Sequence, residues 1–252
     1  MTLYERKIFM YNEPNGYTNP GRGYGYGYAA QPAVSYNQYM TRTFRWMGFG
    51  LLLTFGLAYL TAYSSFFNLV SALYLPLTIA ELVLVFVLSA RVQTMQVGTA
   101  RALFLSYAAL NGLVMSIYFV IFDVPTLIMA FLSAAVYFGI MAAYGALTSR
   151  DLSGWGTKLF GALIALLICG FIGMLFGMGF FASLLYSGIG LGIFMLLTAY
   201  DTQKLQSYYS YYSGSGEMLE KSSIFGALSL YLDFINIFLF VLRLFAGSRS
   251  RN

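Results

Sequence analysis

The sequence has no histidine, one cysteine and few charges, only 9% of its 252 residues being Asp, Glu, Lys or Arg. Each scarcity removes a class of chemistry. Without histidine there is no zinc-hydrolase motif and no histidine-based catalytic triad. The single cysteine, Cys169, lies in an apolar run. It allows no disulfide within the chain and no cysteine metal cluster, and reads as a small inert hydrophobe. A soluble domain carries about a quarter charged residues, so this chain cannot cover a water-facing surface. The net charge is +5. Its basic residues stand singly between apolar runs, which suits anionic lipid headgroups and excludes nucleic acid as a partner.

What remains is apolar. Hydrophobic residues make up 59% of the chain, and they gather in runs of about 20, the length a helix needs to cross a bilayer. Seven spans are predicted, near 44–63, 69–90, 102–122, 126–147, 158–177, 181–203 and 224–245. Pro76 is expected to kink the second. The turn-like FDVP closes the third, GMG separates the fifth from the sixth, and a polar link, SYYSYYSGSGEMLEKSS, precedes the last. Gly173 with Gly177, and Gly188 with Gly192, have the spacing that lets the fifth and sixth helices approach closely. Residues 1–40 differ: NPGRGYGYGYAAQPAVSYNQY has no apolar periodicity and is predicted to be a disordered cytoplasmic tail. Its glycines fit no nucleotide-binding fingerprint, and no signal peptide is expected.

Lys and Arg in the loops orient the spans. Arg6, Lys7, Arg22, Arg42 and Arg45 precede the first span; Arg91 and Arg101 flank the second loop, Arg150 and Lys158 the fourth, Lys204 and Lys221 the sixth. The first, third and fifth loops carry none. The N-terminus and the even loops are therefore expected to be cytoplasmic. Arg243, Arg249 and Arg251 follow the last span, where seven crossings would put them outside. Either the charge bias fails there or the last segment re-enters.

Three acidic residues, Glu81, Asp201 and Asp233, fall inside or at the edge of the spans. An ionised carboxylate at a helix centre costs about 2.5–3.5 kcal/mol on insertion scales, so such residues usually have a partner or a task. Asp201 and Asp233 sit at similar depth on consecutive spans. Two carboxylates in a dry site cannot both ionise easily and tend to share one proton. In a histidine-free chain this pair is the natural sensor of near-neutral pH. Arg91, ending the second span, is at the right depth to hold the ionised form. The plainer alternative for Asp201 is a snorkelling interfacial charge; the depth of Asp233 makes that weaker for it. Paired aspartates also suggest an intramembrane aspartyl protease, and Tyr200-Asp201 matches half of that pattern. The other half fails, because Leu230-Tyr231-Leu232-Asp233 stands where Gly-x-Gly-Asp is required. Proteolysis is set aside, and no enzymatic activity is expected.

The segment ALSLYLDFINIFLFVLRLF (227–245) closely resembles the C-terminal signature of the Bax inhibitor family, the transmembrane Bax inhibitor motif proteins, in its bacterial form. TAYDTQKL (198–205) is similar to that family's Tyr-Asp motif, and LPLTIAELVLVFVLSAR (75–91) to its second helix. The resemblance implies an all-α polytopic membrane protein over residues 41–248, with six transmembrane helices surrounding a central C-terminal seventh. It implies a pH-sensitive calcium leak gated by a proton-sharing dyad of Asp201 and Asp233, stabilised by Arg91. Glu81 and Asp233 would line the cation path as transient calcium ligands, calcium needing several hard oxygen donors. Calcium is then a transported ion and no cofactor is implied; the partners are calcium ions, protons and the lipid bilayer. The alternative is a non-conducting protein that regulates cell-death or membrane-protein quality-control machinery by contact with membrane-protein partners. The simple layout fits a bacterial cytoplasmic membrane, with the endoplasmic reticulum as the other candidate.

The orientation is open to a labelling test. Cysteine placed at Ser65 should react with an impermeant reagent added outside, and cysteine at Ser149 should not. The reverse pattern would sink the assignment.

Overall fold

The computed structural model describes residues 34–91 and 94–249. Its first helix, α1 (Tyr36–Ala62), begins inside the stretch expected to be tail. The cause is local. Ser35 accepts a hydrogen bond from the Gln38 backbone N–H at 3.3 Å, and the Gln38 side chain accepts from the Ser35 N–H at 3.2 Å. This capping box satisfies two donors that a helix start leaves free, and it brings Tyr39 into the core. The remainder of the expected tail, 1–33, lies outside the described residues.

The second span is broken where a kink was expected. A short α2 (Phe67–Ala72) stops at Leu73, and α3 (Tyr74–Arg91) restarts with Pro76 in its first turn. Proline has no N–H for the carbonyl four residues back and its ring clashes there, so the helix must restart just ahead of it. α4 (Val97–Ile121) and α5 (Val124–Leu147) meet at FDVP, where Asp123 accepts from the Thr126 N–H and Pro125 occupies the first turn of α5. A 3-10 turn, Ser153–Trp155, leads into α6 (Gly156–Phe176), which Gly177 ends at φ 76°, a conformation that favours glycine.

α7 (Phe180–Tyr212) and α8 (Gly216–Arg249) run well past their expected ends. The polar link is therefore mostly helix, interrupted only at 213–215. Its aromatic residues explain this. Tyr209 meets Tyr36 and Tyr39 with ring centres 5.4 and 5.7 Å apart, and Tyr208 meets Phe225 at 6.1 Å. Each helix is about 50 Å long at 1.5 Å per residue, whereas the hydrocarbon core is about 30 Å thick. Both therefore exceed the length a crossing needs, and their joined ends pack as an antiparallel pair.

Seven helices, α1 and α3 to α8, are long and apolar enough to cross a membrane, and no strand occurs among the described residues. This is an integral membrane protein of the expected all-helical class. α8 is its centre, packed directly by α1, α4, α5 and α7, while α3 leans on α4 and α6 on α7. Aromatic rings key the surrounding helices to α8: Phe131 and Phe138 of α5 against Phe234 at 5.2 and 5.7 Å, and Phe55 of α1 against Phe238 at 5.2 Å. Edge-to-face contacts of this kind add about 0.5–1.5 kcal/mol each beyond the area they bury.

The last segment runs unbroken from one face of the bundle to the other. At one face, called here the tail side, Arg101 of α4 pairs with Glu220 near the start of α8. There too the Tyr209 hydroxyl donates to the Val34 carbonyl at 3.0 Å, and Gln206 Nε2 to the Ala146 carbonyl at 2.8 Å. The beginnings of α1, α4 and α8 and the ends of α5 and α7 thus share this face. Arg243, far along the unbroken α8, lies 5.9 Å over the Tyr186 ring near the beginning of α7. It is at the opposite face, so the bias of positive charge breaks at the C-terminus.

The glycine pairs picked out by spacing do not join α6 to α7. Gly188 and Gly192 face open space, and Gly173 meets the side chain of Met178 in the adjoining loop. The close approaches are elsewhere, Gly145 of α5 against the Ala199 backbone of α7 and Gly112 of α4 against the Thr54 backbone of α1. Helix spacing shows which residues share a face; what that face meets is decided by packing. Gly145→Val should destabilise the protein by about 1–3 kcal/mol through overpacking. Gly188→Ala should not destabilise it, and should gain up to about 1 kcal/mol of helix propensity. Thermal unfolding in detergent reads both, and equal effects would contradict this packing.

Candidate functional site

Two polar clusters lie buried on different sides of α8. The first is built on Asp233, about 26 Å along α8 at 1.5 Å per residue and only 4% exposed. It faces Asp201 and the Thr198 hydroxyl, both on α7. Among the described residues, nothing donates a hydrogen bond to its buried Oδ2. Thr198 Oγ1 donates to the Phe194 carbonyl at 2.8 Å and Thr202 Oγ1 to the Thr198 carbonyl at 2.7 Å. Such back-bonding lets a helix carry hydroxyls through an apolar interface. Asp201 is nearer the tail side and half-buried. Lys204, three residues on and so on the same face, interacts electrostatically with it. The Lys204 ammonium lies 5.4 Å from the centre of the Tyr200 ring and 5.6 Å from that of Tyr208. Two aromatic faces thus flank this cation, with the Asp201 carboxylate in electrostatic range.

The neighbouring turn of α7 is fastened to the loop between α5 and α6. Gln203 Nε2 donates to the Arg150 carbonyl at 2.8 Å, and its Oε1 accepts from the Leu152 N–H at 2.7 Å. The stretch DTQKLQ (201–206) therefore combines a carboxylate, its cation and the ties that position both.

The second cluster joins α1, α3, α4 and α8. Glu81 of α3 accepts from Asn111 Nδ2 of α4, with the Tyr107 hydroxyl also in reach. Tyr231 of α8 shares a 2.6 Å hydrogen bond with Thr54 of α1, and Thr54 Oγ1 contacts the Ala108 carbonyl at 2.8 Å. Asn111 Oδ1 is buried and without a donor among the described residues.

Of the four residues singled out in the sequence, the structure brings Asp201 and Asp233 together. Arg91 does not join them. It is exposed in the last turn of α3, and neither aspartate pairs with it. The reason is that α3 packs on α4 and not on α7. Lys204 stands beside Asp201 instead. Its signal was present in the sequence: tyrosines four residues on either side of a lysine, with an aspartate three residues before it. Glu81 is likewise apart from Asp233, its partners being on α4. No group of three or more Asp, Glu, His or Cys able to hold a metal occurs among the described residues. The two carboxylates form a facing pair across the α7–α8 interface. They do not form a ready-made multidentate cation cage.

A family model described as "Inhibitor of apoptosis-promoting Bax1" matches residues 36–251. A protein of Deinococcus radiodurans is 44% identical over 82% of this chain and 89% of its own length. The inner membrane protein YbhL of Escherichia coli K12 is 40% identical over 87% of this chain and 95% of its own. A membrane protein of Streptococcus pyogenes is 36% identical over 85% and 95% respectively.

The separation of the two clusters can be measured. Glu81→Gln and Asn111→Ala, combined, should depart from additivity in stability by about 0.5–3 kcal/mol, as residues in contact do. Glu81→Gln with Asp233→Asn should add to within about 0.5 kcal/mol. Strong coupling of the second pair would show that the clusters act as one site.

Proposed function

The chain belongs to the Bax inhibitor family, and from that premise we propose that it is a pH-sensitive calcium leak channel of the bacterial cytoplasmic membrane. The observation that carries this reading is the Asp233 carboxylate, buried at the centre of the bundle with one oxygen unpartnered among the described residues and a second carboxylate facing it. With one proton between them the pair holds α7 against α8. Loss of that proton leaves two like charges in a dry interface, a state relieved by separating the helices or admitting a cation. Lys204 moderates the charge from the Asp201 side. Glu81, on the far side of α8, supplies the other intramembrane carboxylate to a passing cation. Calcium needs several oxygen ligands, so it would travel with much of its water and bind only in passing.

Each titrating group supplies at most about 1.4 kcal/mol per pH unit, so gating is graded and not abrupt. Calcium flux into liposomes between pH 6 and 8 tests the proposal. Asp201→Asn should flatten the pH profile while the protein stays folded, since the amide keeps the shape of the carboxyl. Asp233→Asn should flatten it and lower the flux as well. Wild-type pH profiles in both variants would refute the latch. A wild type that passes no calcium at any pH would leave the family's interaction role as the better reading.

A further inference from the structure

The tail-side ends of α3, α7 and α8 do not close on one another. Between them lies a cavity of about 280 Å³ bordered by Ser89, Thr94, Tyr208, Tyr212, Lys221 and Ser222. Its distinctive member is Lys221, which is only 7% exposed. A lysine ammonium is strongly hydrated, and burying it is costly unless a counter-charge compensates. Its ion-pair partner is Glu217, one turn earlier at 2.8 Å, whose side chain is 66% exposed. A carboxylate so open to water offsets little of that cost.

The cavity itself has the opposite bias. No carboxylate borders it among the described residues, while the hydroxyl-bearing side chains of Ser89, Thr94, Tyr208, Tyr212 and Ser222 do. Thr94 and Ser222 already donate to the Arg91 and Leu219 carbonyls, at 3.0 and 2.8 Å, which leaves Ser89 and the two tyrosines to donate into the cavity. A buried ammonium bordering the same cavity as free hydroxyl donors is suited to an anion with several acceptor oxygens, the chemistry of a phosphate. The location decides between a free phosphate and a lipid. The cavity sits where α7 and α8 leave the bilayer, beside α3, whose Leu82, Val83, Phe86 and Val87 are exposed. The volume accepts a headgroup but not a whole lipid, and that apolar face of α3 offers the acyl chains a place to lie.

We infer that this cavity holds the phosphate headgroup of an anionic phospholipid, with Lys221 as its counter-ion. The inference does not depend on whether the protein conducts calcium.

Native mass spectrometry of the full chain, extracted from equimolar phosphatidylglycerol and phosphatidylcholine, reads the lipid retained. The wild type should keep phosphatidylglycerol in preference. Lys221→Gln should reduce that preference about tenfold, the scale of one charge-assisted hydrogen bond. Glu217→Gln, which removes the competing carboxylate, should increase it. A wild type without preference, or Lys221→Gln with the wild-type preference, would overturn the proposal. If Lys221→Gln does not fold, Glu217→Gln decides alone: a gain supports the site, and no change or a loss refutes it. Excess inorganic phosphate should leave the lipid bound; its displacement would show a site for free phosphate and overturn the lipid assignment.

Discussion

A carboxylate held in a dry helix interface is the constraint around which this protein is organised. Asp233 is the only acidic residue in the buried part of α8, and α8 is the helix that most of the others pack against. Lipid would not tolerate that charge. The surrounding helices must therefore shield it, and one of them must offer something to share its proton. On α7, Asp201 and Thr198 are the polar groups that face it. The closeness of α7 to α5 follows the same need for a tight shell, and it is made possible by Gly145 lying on the Ala199 backbone.

α8 also works as a partition. On one side it presents Asp233 to α7, and on another it presents Tyr231 to Thr54 of α1 and to the rings of Phe104 and Tyr107 of α4, each 5.8 Å away. Glu81 belongs to this second side through its bond to Asn111. A helix turns about 100° per residue, so Tyr231 and Asp233 point to different neighbours although they lie within one turn. Two polar sites can then coexist at one depth without merging into a single cage.

The tail-side face has a different character. Tyrosines of α1 and α7 pack on one another there, Arg101 pairs with Glu220 and lies 5.5 Å from the Trp46 ring, and Gln203 and Gln206 tie α7 to α5 and the loop after it. Amphipathic aromatic side chains suit the level at which a helix leaves hydrocarbon for water. This collar connects the dyad to the loops. It leaves a gap beside α3.

Much of this was legible in the residues alone. Hydrophobic runs of bilayer length foretell seven membrane helices, because a backbone in lipid has to bond to itself. Intramembrane carboxylates stand out for the same reason, and Asp201 and Asp233 could be paired from their depth. What could not be read was which helices touch. Arg91 ends α3 at the level of Tyr212 and Lys221, about three helical turns from Asp201 and Asp233, on a helix that packs on α4, so Lys204 takes the place beside Asp201. Gly188 and Gly192 have the spacing of a packing motif and meet nothing, whereas Gly145 and Gly112, in no such pair, make the close contacts. The polar link became helix because its tyrosines found partners on α1 and α8. Length and hydropathy act along one chain and are written in order; side-chain partnership depends on rotation and neighbours, which only the folded bundle decides.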